Sequence, residues 1–94
     1  AGQVATMFGR KGEAPGEFIY PVAVTEDDRG RLYICEYGGH DRVQIFQSDG
    51  TYLTEFGSFG SGPGQFQRPS GIVWREGRLY IADAFNNRLH VVTE

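Results

Sequence analysis

The sequence predicts an all-β fold in which one unit of short strands and turns occurs twice, as propeller blades or another repeat array do. One reason is a repeat. The run Gly62-Pro63-Gly64-Gln65-Phe66-Gln67-Arg68-Pro69-Ser70-Gly71-Ile72-Val73-Trp74 leads into Arg78-Leu79-Tyr80-Ile81-Ala82-Asp83 and then Asn87-Arg88-Leu89-His90-Val91-Val92. An earlier copy reads Pro15-Gly16-Glu17-Phe18-Ile19-Tyr20-Pro21-Val22-Ala23-Val24, then Arg31-Leu32-Tyr33-Ile34-Cys35-Glu36, then Asp41-Arg42-Val43. Phe18 and Phe66 stand 48 residues apart, Leu32 and Leu79 stand 47 apart, and Arg42 and Arg88 stand 46 apart. The drift is two single-residue differences, both placed in turns. The other reason is patterning: short apolar runs alternate with Gly, Pro, Asn and Asp, and no stretch keeps a helical period over three turns.

Each element follows from local chemistry. Residues 3–8 align with 51–56, and both read as strands. The glycine-rich loops after them, 9–20 and 57–68, carry Pro15-Gly16 and Pro63-Gly64, since Pro presets φ for a turn and Gly accepts positive φ. Residues 22–25 and 70–74 are short and apolar and read as buried strands. Pro21 and Pro69 sit at their starts, where a missing N–H harms a ladder least. Hairpin turns at Asp28-Arg29-Gly30 and Glu76-Gly77 lead to second strands over 31–36 and 78–83. A further turn, with Asn87 available for left-handed backbone, precedes third strands over 42–47 and 88–93. Ser48-Asp49-Gly50 then closes a hairpin to the fourth strand.

Composition narrows the function. A chain of 94 residues with 39% apolar and 14% aromatic residues supports one small core. Its 9 basic and 12 acidic residues, net charge -3, are mixed along the chain, so no nucleic-acid partner is expected. Apolar runs are too short for a membrane span, and no signal peptide is recognised, so a soluble protein of unknown compartment is expected. The single Cys35 excludes an internal disulfide. A chain that opens on Ala1 is expected to be a trimmed or excised piece.

The motifs Gly62-Pro63-Gly64-Gln65-Phe66, Pro69-Ser70-Gly71-Ile72, Gly77-Arg78-Leu79-Tyr80-Ile81-Ala82-Asp83 and Asn86-Asn87-Arg88-Leu89-His90-Val91-Val92 resemble the NHL repeat, whose unit forms one β-propeller blade of four antiparallel strands, which implies two blades in the chain. The resemblance covers nearly the whole chain, twice. Departures from the pattern are Val22-Ala23 after Pro21, Glu36 in place of Asp, Gly38-Gly39-His40-Asp41 in place of Asn-Asn, and Arg75 where the first unit keeps Asp27. The resemblance implies an inner-to-outer strand order, so the chain (1–94) divides into an outer strand 3–8, a complete blade 21–56, and three inner strands 70–93. Strand 3–8 is then expected to complete the 70–93 blade of a neighbouring chain. Propellers close with about four to eight blades. NHL propellers most often have six, so the partner expected is the chain itself, as a homotrimer, with a homotetramer next.

The functional reading that follows is a non-catalytic scaffold with a loop-bearing binding face; the alternatives are a fragment of a propeller lyase or hydrolase, or of an RNA- or protein-binding NHL domain. No cofactor is expected. A lyase of this class implies zinc held by histidines from several blades, but only His40 and His90 are present, one in a loop and one mid-strand. Glu13, Glu17, Glu36, Asp41 and Asp83 fall near the loop face, where ion pairs with Arg42 and Arg88 explain them more simply than catalysis. Ser61 and Ser70 have no histidine nearby in sequence, and the glycine loops precede strands rather than a phosphate-binding helix. Cys35 stands in the place of Ala82 as a small buried residue. Arg10, Lys11, Tyr20, Tyr37, His40, Phe59, Arg68 and Phe85 form the candidate binding face for a protein or peptide, given the preference of interfaces for aromatics and arginine. Gly16, Phe18, Pro21, Arg42, Gly64, Phe66, Pro69, Gly71, Asp83, Asn87 and Arg88 are the candidate structural residues. No catalytic, cofactor or metal residue is assigned.

Overall fold

The computed structural model describes residues 2–4 and 6–93. Strands β1 (Tyr20–Glu26), β2 (Leu32–Tyr37), β3 (Arg42–Phe46) and β4 (Tyr52–Phe56) form one antiparallel sheet in chain order. After it come a short parallel pair, β5 (Ser58–Phe59) and β6 (Gln65–Phe66), and a second antiparallel sheet, β7 (Pro69–Arg75), β8 (Arg78–Asp83) and β9 (Arg88–Thr93). A single 3-10 turn, Ala84–Asn86, joins β8 to β9.

The repeat in sequence is a repeat in geometry. The register of β1 on β2 slips between Pro21 and Ala23, and that of β7 on β8 slips between Pro69 and Gly71, at the same place in each unit. Phe59 pairs with Phe66 in the β5–β6 ribbon, and the first loop places Lys11 opposite Phe18 in the same parallel manner. The two length differences lie in turns. Asp27 anchors the longer first hairpin through the N–H groups of Arg29 and Arg31 and the Tyr33 hydroxyl, each within 2.9 Å. The second unit has Arg75 there and makes the tighter turn, with Glu76 and Gly77 at φ 51° and 80°. Left-handed backbone at both central residues matches the twist of a two-residue hairpin. Asn87, with φ 54°, closes the shorter second turn.

The core lies between the sheets. Tyr33, Cys35 and Val43 of the first sheet meet Phe66, Ile72, Leu79 and Ile81 of the second unit, flanked by Ala23, Ile45, Phe56, Trp74 and Val92. Each sheet therefore uses a different face. The second sheet buries the face that carries Ile72, 6% exposed, whereas its repeat mate Val24 in β1 is 59% exposed. The first sheet buries the opposite face, with Val43 at 0%, whereas its mate Leu89 in β9 is 59% exposed. This corrects one expectation: β1 is not buried in the chain, because the face it shares with Phe18, Leu32 and Ile34 lines an open apolar hollow with no sheet over it.

Residues 3–8, expected to pair with a neighbouring copy, carry no strand within the chain among the described residues, and Ala5 lies outside the described residues. A lone segment has no ladder partner here. Phe8 instead rests on Phe46, ring centres 5.1 Å apart.

Burial pushes the Cys35 thiol up to about 11, and the residue is fully enclosed. Thiol reagents act on the thiolate. Cys35 should therefore resist an aromatic disulfide reagent at pH 8 in the folded protein and react stoichiometrically in denaturant, followed by absorbance.

Candidate functional site

On the loop-bearing side the sequence builds the same clamp twice. In the first unit Glu36, on β2, receives the Ile19 N–H at 3.0 Å, the Arg42 Nε at 2.5 Å and the Gln44 Nε2 at 2.6 Å. Arg42 is 1% exposed, and its remaining donors reach the carbonyls of Ala14 and Glu17 and the Glu55 carboxylate. Gln44 donates to the Glu17 carbonyl and accepts the Gly16 N–H, each at 2.8 Å. In the second unit Asp83 receives the Gln67 N–H at 2.7 Å and the Arg88 Nε at 2.9 Å, while Arg88 donates to the carbonyls of Ser61, Gly62 and Gln65. Asn86 adds a bond to the Gly60 carbonyl. An arginine thus leaves the third strand and holds the whole inter-blade loop by its backbone carbonyls, which only a planar fork of five donors can do.

The remaining structural candidates serve these loops. Gly16 and Gly64 have φ of 85° and 72° in the Pro-Gly turns. Phe18 packs on Phe46, and Phe66 packs on Phe56 and the His90 ring. Phe66 also leaves no room at Gly57, where a Cβ would stand 2.4 Å from the ring. Pro21 and Pro69 mark the slipped register at the strand starts. Gly71 has no left-handed backbone and open space at its Cβ, so nothing in the chain demands glycine there.

The histidines do not converge. His90 Nε2 lies 3.0 Å from Asp83 Oδ2, beside Arg88, and His40 lies 3.8 Å from Glu55 on the other unit. Among the described residues no group of three or more His, Cys, Asp or Glu side chains could hold a metal. Glu13 is exposed, and Glu17 pairs with Arg10 at 2.8 Å.

Of the eight candidates for a binding face, the fold gathers four. Tyr20 stacks on Tyr37 with centroids 5.2 Å apart and planes 18° from parallel. The Arg68 guanidinium lies 4.7 Å over the Tyr37 ring and 5.1 Å over the Phe85 ring. The result is a ladder, Tyr20, Tyr37, Arg68, Phe85, across the junction of the two sheets. Arg10 is tied to Glu17, Lys11 lies in the first loop, His40 faces Glu55, and Phe59 stands apart in β5. Sequence reasoning missed what aims the ladder. Arg68 has φ 59°, rare for a bulky residue, and its N–H is held at 2.6 Å by Asp41 of the other unit, itself 2% exposed. The missed signals were the burial of Asp41, in the turn just before β3, and of Gln44 on β3.

Two repeat-related antiparallel sheets, each with an arginine-clamped loop over one end, define a pair of propeller-type blades. The curated relatives agree. The chain is 33% identical over 94 residues to mouse NHL repeat-containing protein 3, a match that covers 95% of this chain and 27% of that protein. It is 32% identical over 82 residues to the RING finger protein nhl-1 of Caenorhabditis elegans, covering 87% of this chain and 8% of that protein. Protein lin-41 of the same worm is 39% identical over 48 residues, 51% of this chain and 4% of its own length. No family model matches. The chain belongs to the NHL-repeat family, and it spans about a quarter or less of the curated relatives it matches.

Two predictions follow from the clamps. Arg42→Ala leaves Glu36 buried without its cation and should cost about 3–5 kcal/mol in urea unfolding. Asp83 and Asp27 give a pH dependence. Burial raises the Asp83 carboxyl, but the Gln67 N–H, Asn86, His90 and Arg88 outweigh burial and hold it at about 2. Burial likewise raises Asp27, and donors from Arg31, Tyr33 and Arg29 bring it to about 2. Both lie below the unfolded value of about 3.9, so their stabilisation is present above about pH 4 and lost as pH falls toward 2. Melting temperature should drop steeply over that window, and less steeply in Asp83→Asn.

Proposed function

We propose that the chain is a non-catalytic binding scaffold: two NHL blades that stack head to tail on identical copies to close a propeller, with the clamped loops and the aromatic ladder as its binding face. The observation that carries this reading is the mismatch of burial between repeat mates. Val24 is exposed where Ile72 is covered, and Leu89 is exposed where Val43 is covered. The two bare faces are therefore the two halves of the interface that already joins the sheets within the chain. A face-to-face contact between unlike patches repeats until the rotation closes a ring. Three copies give the six blades most common in the family, and four copies give eight.

The same stacking supplies the missing strand. β9 is the open edge of the second sheet, and residues 3–8 precede the first inter-blade loop as β4 precedes the second. In the proposed ring, residues 3–8 pair antiparallel with 88–93 of a neighbouring copy, covering an edge that would otherwise offer unpaired N–H and C=O groups. The binding face, rather than catalysis, accounts for the polar residues, because the carboxylates near it are engaged by clamp donors.

Light scattering should give a mass near three times 10.5 kDa. Val24→Glu places a charge in the bare apolar face and should yield a folded single-chain species. Removing residues 1–8 should yield aggregates or smaller species, while removing Thr93 and Glu94 should change little. A stable, folded monomer of the unaltered chain at micromolar concentration would contradict self-assembly.

A further inference from the structure

The geometry points to Arg68 as the anion-reading centre of the binding face, taking the carboxylate of an acidic peptide segment at the junction of the two sheets. This rests on the reading of that face as a binding platform, and it needs only one chain, since Tyr37, Arg68 and Phe85 all belong to the same copy.

Arg68 is the described cation that lies against two aromatic rings. Arg42 and Arg88 spend their donors on loop carbonyls and carboxylates, Arg10 pairs with Glu17, and Arg75 lies beside Glu76. Among the described residues the Arg68 guanidinium has no carboxylate partner, the Asp41 carboxylate being taken by the Arg68 backbone N–H. Its side chain makes one long bond, Nη2 to the Tyr37 hydroxyl at 3.4 Å. Its guanidinium lies against two rings, 4.7 Å from the Tyr37 centroid and 5.1 Å from the Phe85 centroid, and its N–H donors are otherwise uncommitted among the described residues. Rings against a cation shed water from it, which strengthens a charge-assisted bond to a carboxylate.

The backbone adds an independent observation. Its repeat mate Tyr20 has no left-handed backbone, whereas Arg68 is forced into it and pinned by buried Asp41. Strain of this kind persists only where the surroundings enforce it, and it concentrates at sites of recognition. The neighbouring Tyr20, Tyr37 and Phe85 supply apolar contact on either side of the charge, with Tyr20 57% and Phe85 58% exposed. One cation flanked by rings suits one carboxylate flanked by apolar side chains. A phosphate backbone calls for several cations in a row, and the ladder has one.

The test is fluorescence anisotropy with a labelled, amidated peptide of alternating leucine and glutamate, set against the same peptide with glutamine for glutamate. The glutamate peptide should bind, and the glutamine peptide should bind about tenfold more weakly, as expected for loss of a charge-assisted bond. Arg68→Gln should weaken the glutamate peptide by a similar factor, and Arg68→Lys should restore little, since it keeps the charge but not the stacked fork. Poly-uridine RNA should not displace the peptide. Equal binding of both peptides that is lost in Tyr37→Ala/Phe85→Ala would overturn the carboxylate assignment while the binding face stands. Binding of neither peptide would overturn the assignment and count against the face, and displacement by RNA at lower concentration than by unlabelled peptide would assign the site to phosphate instead.

Discussion

The structure depends on one contact: the face of the first sheet that carries Tyr33, Cys35 and Val43 against the face of the second unit that carries Ile72, Leu79 and Ile81. Neither sheet has a core of its own. A twisted sheet has two faces to cover and this chain covers one face of each, so the buried apolar residues lie in a single layer except for Phe46, which packs with Phe8 and Phe18. The free energy of burying that layer, roughly 25 cal/mol per Å² of apolar surface, is what makes the two sheets one body. Because the units are repeats, the same layer exists in half-form at each end. That is the physical basis for expecting further blades, as in other arrays whose units contact only their neighbours.

The arginine clamps solve a different problem. A loop of about twelve residues crosses from the outer strand of one unit to the inner strand of the next, and loops of that length carry many unpaired carbonyls. Arg42 and Arg88 collect those carbonyls, and Glu36 and Asp83 supply the counter-charge from the second strand. The units differ in how the third member is chosen. Gln44 in the first grips the loop directly, and His90 in the second packs on Phe66 and leans on Asp83. Stiff loops then present Tyr20, Tyr37, Arg68 and Phe85 in fixed order.

Much of the fold was legible in the sequence because blades are local. Turn chemistry at Pro15-Gly16, Gly77 and Asn87 and the period of the Phe, Leu and Arg positions place every strand of both sheets. What could not be read was which face each strand would cover. Period-two alternation gives two candidate faces in β1, and only the partner decides between Val24 and its neighbours. The residues of the proposed binding face were legible one by one as loop aromatics and cations, but not as a ladder. Arg68 joins it through a left-handed backbone and a bond to Asp41, 27 residues away, and no propensity signals either one. Arg10 and Phe59 looked equivalent in sequence and are held elsewhere by local contacts.

The central claim is that the two bare faces are complementary halves of one interface. The most direct measurement is crosslinking between single-cysteine variants made in a Cys35→Ala background, one with Val24→Cys and one with Leu89→Cys, using a short bifunctional thiol reagent. Unlike faces should meet, so crosslinked pairs should form when the two variants are mixed and should be absent from either variant alone. Crosslinks within the Val24→Cys protein by itself, with none specific to the mixture, would mean that like faces pair about a two-fold axis, and the head-to-tail account would be wrong.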